Sequence, residues 1–198
     1  MARPRVGIGL PLVALKGKPL VSLCSTLCTT DAEMASLVSE GAYIPYNRLL
    51  LRNLAVEQGC THLFFMDHDV VYPPTTLTQL LAHDKDVVAC HYNMKTTPRL
   101  SMAFDLEGDR IPLVEAEPGD WRLPQPGLFK LSAIGCGVML IKLPIFEKLE
   151  RPFFQVLIEG DDLIISEDVW FCERVRRAGF DVWCDPTIKV HHMGEAAY

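Results

Sequence analysis

The stretch LFFMDHDVVYPP, residues 63–74, places two aspartates inside an otherwise apolar segment. Residues 61–67 form a short apolar run bounded by turn-forming and acidic residues, which is typical of a buried parallel strand. Asp67 and Asp69 come at the end of that strand, and α/β proteins bind ligands at the carboxyl ends of their strands. The stretch therefore predicts a sheet-building strand that carries two carboxylates to a binding edge.

Segments with the strand period and the helix period alternate around this stretch. The apolar pattern predicts strands over residues 5–12 and 85–93, and helices over 20–30, 42–59 and 73–83. This order predicts an α/β fold with a mostly parallel, Rossmann-like central sheet that is flanked by helices.

The second half of the chain has a different character. Residues 105–127 contain four prolines, three glycines and many acids without a clear period, so we expect a long excursion that acts as a mobile flap. Downstream, the pattern predicts a strand and then a helix over 128–149, and a helix over 166–179. Two short strands are predicted over 180–194, which gives a small antiparallel C-terminal portion.

Composition excludes several classes of protein. The 198 residues are 49% hydrophobic and 22% charged, as in an ordinary soluble domain. The net charge of −6 argues against a nucleic-acid partner. No apolar run is long enough for a transmembrane segment. The seven cysteines include no CxxC pair, and the N-terminus predicts a strand and not a signal peptide, so we expect reduced thiols and a cytoplasmic location.

Asp67 and Asp69 have two interpretations. Carboxylates at positions i and i+2 of a strand end can point into one crevice, where a hard cation such as Mg²⁺ or Mn²⁺ would offset their repulsion and hold a diphosphate. Alternatively, the segment is a solvated turn in which Asp67 caps the next element.

Two further groups carry the same ambiguity. Glu167 and Asp168 are either helix N-terminal acids stabilised by the helix dipole or a source of a general base for an acceptor hydroxyl. His191 and His192 follow a strand-like segment, so alternation sends them to opposite faces. One of them is then a candidate metal ligand, or else they are one surface and one core histidine.

Basic and glycine residues complete the candidates. Arg48 and Arg52 share one helical face, and they either bind phosphate oxygens through forked contacts or solvate that face. The glycines of residues 135–137 lie in an apolar strand, where they permit a close approach of ligand or backbone or mark a bulge.

Taken in order, these motifs resemble those of GT-A-fold glycosyltransferases, in particular the family 2-like group with its short bacterial and phage-encoded members. Residues 46–81 match an arginine-bearing helix, a strand, an Asp-x-Asp and a Pro-led helix. Residues 134–149 resemble the group's glycine-containing strand and following helix, and residues 166–194 its Glu-Asp helix and terminal His-x-Gly. The resemblance spans residues 5–194.

The resemblance implies one GT-A-like catalytic domain over residues 1–198. Residues 1–95 would form a nucleotide-binding half and 96–198 an acceptor-side half, with the flap of 105–127 over the donor pocket. The implied activity is metal-dependent transfer of a sugar from a UDP- or GDP-sugar to an unknown hydroxyl acceptor, with Mn²⁺ or Mg²⁺ as cofactor.

The resemblance also implies roles for the acids and one histidine. Asp69 would bind the metal, Asp67 would touch the metal or the nucleotide ribose, and His192 would be the third protein ligand. Asp168, paired with Glu167, would supply the catalytic base on the acceptor side.

Three further residues would contact the nucleotide. Pro11, at the end of the first strand, would lie near the nucleobase, with Arg48 near the nucleotide or its phosphates and Gly135 at the close approach to the donor.

The sequence departs from the group in two places. His68 fills the middle of the Asp-x-Asp, where small or apolar residues are commoner, and it is a candidate extra ligand. The chain ends at Tyr198, so we expect it to lack the acceptor-binding extension of larger members.

Two other functions fit the same fold. A nucleotidyltransferase would usually carry a glycine-rich phosphate loop after the first strand, but residues 9–19 have two lysines and no compact GxG cluster. A non-catalytic sugar-nucleotide-binding module is the second alternative.

Overall fold

The computed structural model describes residues 3–12, 17–41 and 43–194. In the first half of the chain, strands and helices alternate as the apolar periods predict. The elements are β1 (Arg5–Leu12), α1 (Gly17–Thr29), β2 (Glu33–Glu40), α2 (Ile44–Glu57), β3 (His62–Met66), β4 (Val70–Val71), α3 (Thr76–Ala82) and β5 (Val87–Cys90).

The second half consists mainly of short strands. They are β6 (Ala103–Phe104), β7 (Val114–Glu117), β8 (Asp120–Arg122), β9 (Phe129–Leu131), β10 (Ala133–Ile134), β11 (Val138–Lys142), β12 (Leu157–Glu159), β13 (Asp162–Ile165), β14 (Val182–Asp185) and β15 (His191–His192). A 3₁₀ helix spans Leu143–Glu147, and α4 spans Glu167–Arg177.

Seven strands form the central sheet, in the order β2-β1-β3-β11-β5-β14-β9. Strand β1 pairs in parallel with β2 and β3, and β5 pairs in parallel with β14. Strand β11 is antiparallel to both β3 and β5, and β9 is antiparallel to β14. Five of the seven strands therefore run in one direction, which confirms the predicted mostly parallel sheet.

Helices cover both faces of this sheet because successive strand residues point in opposite directions. Phe65 packs into a core cluster that includes Leu51 of α2 and Phe171 of α4. Phe64 packs into a second cluster, with Leu23 of α1 and residues of α3. All seven cysteines are free thiols. No helix in the described part of the chain is long and apolar enough to cross a membrane.

The helix predicted within residues 128–149 is a single 3₁₀ turn in the structure. Leu143, Ile145 and Phe146 are buried within this turn, and Leu149 is buried just after it. Residues i and i+3 share a face in both a 3₁₀ helix and an α-helix, so this burial fits either element. The apolar pattern was correct about burial but did not distinguish the two elements.

The segment 105–127 is also more ordered than a structureless excursion. It contains the antiparallel hairpin of β7 and β8, which turns at Gly119 with a positive φ of 82°. Most residues of the two strands are exposed. The hairpin is therefore a surface arm of the fold, attached beside the C-terminal ends of the central strands.

Phe64 gives a direct test of the second core cluster. It is fully buried and meets the Tyr72 ring edge to face, with centroids 5.9 Å apart. We expect Phe64→Ala to lower the free energy of unfolding by about 3–5 kcal/mol, because burial is lost and a cavity remains. Urea denaturation measures this change. Val21→Ala, at an exposed position of α1, should stay within about 0.5 kcal/mol. A loss below about 1 kcal/mol for Phe64→Ala would contradict this packing.

Candidate functional site

The topology brings four chain segments to one edge of the sheet. Pro11 is near the end of β1, Asp67 follows β3, and Tyr92 lies just beyond β5. Strand β11 lies between β3 and β5 but runs the opposite way, so Gly137, the residue before its first residue, reaches the same edge. The backbone N–H of Asp67 donates to the Gly137 carbonyl at 2.9 Å. The Gly137 N–H donates to the Tyr92 hydroxyl, also at 2.9 Å.

Arg48 of α2 joins this edge to the start of α4. Its side chain is 3% exposed, its Nη2 lies 3.2 Å from Asp67 Oδ1, and its Nε lies 3.3 Å from Glu167 Oε1. The guanidinium carbon also lies 5.0 Å from the centroid of the Phe65 ring. Arg48 therefore does not solvate a helical face. It forms a buried bridge between the two acidic motifs.

The charges in this bridge depend on each other. Burial by itself would lower the pKa of the Arg48 guanidinium, but Asp67 and Glu167 oppose that effect and raise the pKa above its usual value. Burial raises the pKa of Glu167, while the Arg48 charge acts in the opposite direction. Removing Arg48 would leave both acids poorly solvated and without their counter-charge.

Tyr92 lies at the centre of the site. Its hydroxyl occupies the space next to Gly135 and Gly137: a Cβ at Gly135 would overlap the hydroxyl, and one at Gly137 would lie 2.7 Å from it and 2.7 Å from Asp67 Oδ2. Burial, together with the charges of Asp67 and Asp168, raises the pKa of Tyr92 well above its usual value. The close approach predicted for the glycine pair is thus made by a neutral tyrosine.

Asp168, in the first turn of α4, differs from its neighbour Glu167. It is 6% exposed, and its Oδ1 accepts hydrogen bonds from the Ser166 hydroxyl and, at 2.9 Å, from the Val169 N–H. In the described part of the chain Asp168 has no cationic partner, whereas Glu167 pairs with Arg48. Ser166 does not cap the helix with its side chain, because its hydroxyl turns to Asp168.

A second group of polar side chains lies in the turn after β3. Strand β15 pairs with β4, and the Met193 N–H donates to the Asp69 carbonyl at 2.7 Å. This pairing brings His192 Nε2 to 3.4 Å from Asp69 Oδ2, and Lys95 Nζ contacts the same oxygen. Burial would raise the pKa of Asp69, but the contacts with His192 and Lys95 outweigh it and hold the pKa well below its usual range.

The His192 ring is oriented by a backbone contact. Its Nδ1 lies 3.1 Å from the Asn93 carbonyl, which can only accept, so Nδ1 carries a proton. Nε2 then faces the Asp69 carboxylate. Such a tautomer is the one expected of a histidine that binds a metal through Nε2.

The donor set partly fits the divalent cation that the resemblance implies. Asp69 and His192 converge, and oxygen and imidazole nitrogen suit Mn²⁺. Asp67 is turned towards Arg48 instead. Within residues 3–12, 17–41 and 43–194, no three His, Cys, Asp or Glu side chains are grouped closely enough to hold a metal ion. Asp67 as a metal ligand therefore stays a prediction.

The other predicted residues lie at or near the same edge. Pro11 is buried, and the pairing of Gly9 with Phe65 places it level with Asp67. The loop after β1 falls partly outside the described residues. His68 lies half-buried in the turn between β3 and β4. His191 is exposed while His192 turns inward, as the alternation predicts. Their roles towards a nucleotide or metal stay predictions.

Sequence reasoning missed Tyr92 and Lys95. A signal was present for both, because they follow β5, and the residues after a parallel strand lie at the binding edge. The rule that selected Asp67 would have selected Tyr92. Lys95 lies further along an irregular segment, and only the folded chain shows that it reaches Asp69.

Comparisons with known proteins identify the fold. No protein-family model matches the sequence, and no curated protein matches it. Among solved structures, the crystal structure of A197 from STIV is similar over 96% of this chain and 86% of its own, with a TM-score of 0.63 and 20% identity.

Two further structures are similar over almost the whole chain. GalNAc-T7 with UDP, GalNAc and Mn²⁺ matches 97% of this chain with a TM-score of 0.61 and 11% identity, and the chain spans 44% of its length. The inositol-1-phosphate CTP transferase from T. maritima matches 96% of this chain and 89% of its own, with a TM-score of 0.52 and 10% identity. With this sheet order, these likenesses show a GT-A-like fold.

Arg48→Met tests the buried bridge. We expect it to lower the free energy of unfolding by about 3–5 kcal/mol at pH 7, because Asp67 and Glu167 lose their counter-charge. The pKa of Glu167 is already raised, and it should rise further without Arg48. The folded protein then holds a proton that the unfolded chain has released, so the deficit should grow as pH rises from about 4 to 7.

Denaturant unfolding at several pH values measures this deficit. Arg52→Met is the matched control on the same helix, since Arg52 lies over the Phe146 and Phe153 rings. That substitution should cost about 1 kcal/mol and depend little on pH. Equal, pH-independent losses in the two variants would show that Arg48 contributes packing only.

Proposed function

We propose that the chain is a glycosyltransferase that moves a sugar from a UDP- or GDP-sugar to a hydroxyl acceptor with the help of Mn²⁺ or Mg²⁺. The observation that carries this proposal is the convergence of Asp69 and His192 beside the Arg48-bridged acids, at the carboxyl edge of a GT-A-like sheet. GalNAc-T7, a structural neighbour, was crystallised with UDP, GalNAc and Mn²⁺.

Asp69 and His192 would hold the cation. Asp69 is ionised, because its pKa lies well below the usual range, and His192 presents Nε2 to it. A bound divalent cation would neutralise the charge that develops on the diphosphate leaving group. We assign Asp67 to the metal or the ribose, and its fixed orientation towards Arg48 favours the ribose.

Arg48 is suited to the nucleotide side of the site. Its Nη2 and Nε are engaged by Asp67 and Glu167, but its buried Nη1 has no hydrogen-bond partner among the described residues. An unpaired guanidinium N–H is a strong donor for a phosphate or ribose oxygen. Pro11 would contact the nucleobase. Gly135 would lie at the border of the donor pocket, where its missing side chain leaves room for the Tyr92 hydroxyl.

Asp168 is the better base of the two acids in α4. Glu167 is occupied by Arg48, whereas Asp168 has no cationic partner in the described part of the chain. Asp168 would take the proton of the acceptor hydroxyl while the oxygen of that hydroxyl bonds to the anomeric carbon of the sugar. At the same time, the bond between the anomeric carbon and the diphosphate oxygen would break. Glu167 would keep Arg48 in place and so position the site.

The two halves of the chain would divide the substrates between them. Residues 1–95 would hold the nucleotide, and residues 96–198 would face the acceptor. The hairpin of β7 and β8, within the flap of residues 105–127, would limit access of water to the donor.

A nucleotidyltransferase is the second candidate. The observation that favours it is the likeness of fold to the inositol-1-phosphate CTP transferase. Such an enzyme would bind a nucleoside triphosphate and would not need Asp168 as a base for a sugar acceptor. Nucleotide preference separates the two candidates.

Metal-dependent nucleotide binding tests the Asp69–His192 site. Calorimetry with UDP, GDP, CDP and CTP, with Mn²⁺ or with EDTA, should show that a diphosphate binds best and only with metal. Asp69→Asn and His192→Gln should each weaken that binding by about 10–100-fold. Asp31→Asn, at an exposed position, is the matched control. Unchanged binding in EDTA or in Asp69→Asn would overturn the metal assignment, and a preferred triphosphate would favour the nucleotidyltransferase.

Asp168→Asn tests the base. It should leave diphosphate binding within about twofold and lower the rate of sugar-nucleotide turnover, or of its slow hydrolysis, by about 10²–10⁴-fold. Product release followed by liquid chromatography measures this rate. Glu167→Gln should instead weaken nucleotide binding, because it disturbs Arg48. A full rate in Asp168→Asn would exclude its role as base, and no turnover of any sugar nucleotide by the unaltered protein would favour a non-catalytic binding module.

A further inference from the structure

A cavity of about 320 Å³ lies beside the candidate site. One wall is the hairpin of β7 and β8 with its turn, and another is the segment between β14 and β15. The hairpin is held in place on both sides: Arg99 Nη1 donates to the Gly119 carbonyl at 3.0 Å, and Lys189 Nζ lies 3.2 Å from Asp120 Oδ2. The cavity is therefore a defined part of the fold.

Two buried polar side chains belong to the lining of this cavity, and each carries a buried atom with an unused hydrogen-bonding capacity. His91 is 8% exposed and Asn93 is 6% exposed. Among the described residues, His91 Nε2 and Asn93 Oδ1 have no hydrogen-bond partner, although Asn93 Nδ2 donates to the Trp121 carbonyl at 3.3 Å. Buried polar atoms are nearly always paired with protein groups or ordered water, so two unpaired ones on residues that line one cavity single it out as a candidate binding place.

The chemistry of the two atoms selects the ligand. Asn93 Oδ1 can only accept, so its partner must bring a donor hydrogen. A carboxylate or a phosphodiester has none, whereas a hydroxyl both donates and accepts. Burial lowers the pKa of His91 to about 4, so its ring is neutral near pH 7 and can exchange either kind of hydrogen bond with a hydroxyl.

The rim of the cavity is consistent with a polyhydroxylated ligand. Asp120, Arg122 and Lys189 lie on the lining, and both cations contact the Asp120 carboxylate. The carboxylate offers hydrogen-bond acceptors and the two cationic side chains offer donors, and the hydroxyl groups of a sugar can use both. Trp121 also lines the cavity and adds apolar surface for the C–H groups of a sugar ring.

The cavity is directly connected to the candidate site. Asn93 lines it with its side chain, while its carbonyl accepts from His192 Nδ1 at 3.1 Å. His191, the neighbour of His192, also lies on the lining. A ligand in the cavity would thus lie next to the place assigned to the donor diphosphate.

We propose that this cavity is a saccharide-binding subsite, in which His91 Nε2 and Asn93 Oδ1 bind hydroxyl groups. Its use as the acceptor subsite, with a saccharide hydroxyl as the group that receives the sugar, rests on the proposed function. Saccharide binding itself does not, because it needs neither nucleotide nor metal.

Saturation-transfer NMR on the full chain tests the binding, with methyl glycosides of glucose, galactose, mannose and N-acetylglucosamine as probes. The assay contains no nucleotide or metal, and sulfate, which carries no donor hydrogen near pH 7, is the anionic comparison. We expect saturable transfer to at least one glycoside, and no competition by sulfate. His91→Leu should weaken the binding at least tenfold. Lys189→Met, at the rim, should weaken it by a smaller factor.

His62→Leu is the matched control, since His62 lies at the start of β3 on the opposite edge of the sheet. It should leave glycoside binding unchanged. Thermal unfolding checks that the variants fold: His91→Leu should be at least as stable as the unaltered protein, because an unpaired polar group is removed. If His91→Leu does not fold, Lys189→Met decides.

Three results would overturn the proposal. They are no transfer to any glycoside, equal affinity in the unaltered protein and His91→Leu, or displacement of the glycoside by sulfate alone. The nucleotide titrations report on Asp69 and His192 independently. Failure of the saccharide subsite with intact metal-dependent nucleotide binding would therefore leave the transferase standing, and the reverse result would leave only a saccharide-binding cavity.

Discussion

The buried guanidinium of Arg48 is the interaction on which the rest of the site depends. It contacts Asp67 from β3 and Glu167 from α4, so it joins segments that are far apart in the sequence. A charge this deeply buried is stable only when its counter-charges are close and well oriented. The position of α2 on the sheet, the start of α4 and the orientation of Asp67 are therefore fixed together. Phe65, beneath the guanidinium, ties this polar bridge to the apolar core.

The strands and helices around Arg48 could be predicted from the sequence because their apolar residues follow one period at a time. The run before Asp67 is buried on both faces, and β1, β3 and β5 end at the same edge because they run in the same direction. Prediction was weaker where a 3₁₀ helix and an α-helix would bury the same residues, as in the 3₁₀ turn that replaces the expected helix after β11. The spacing of apolar residues indicates which side chains are buried, but the surrounding structure decides which type of helix the segment forms.

The candidate site shows a second limit of sequence reasoning. Asp67 and Asp69 look equivalent in the sequence, where Asp69 is expected to bind a metal and Asp67 to touch the metal or the nucleotide ribose. In the structure Asp67 remains level with the sheet and contacts Arg48, while Asp69 lies in the following turn and contacts His192. The spacing of two acids states only that they are near each other. Which one faces a cation depends on the residues that the rest of the chain brings to each.

Lys95 supplies a positive charge to Asp69. Its ammonium contacts the same carboxylate oxygen that faces His192, so one oxygen is shared by a cationic side chain and an imidazole. A divalent cation at that oxygen would carry a larger charge than the ammonium and would repel it. Because Lys95 has a long, flexible and partly exposed side chain, it can move away at low cost. Once displaced, its charge would still lie beside the cation, where a diphosphate could bind to both.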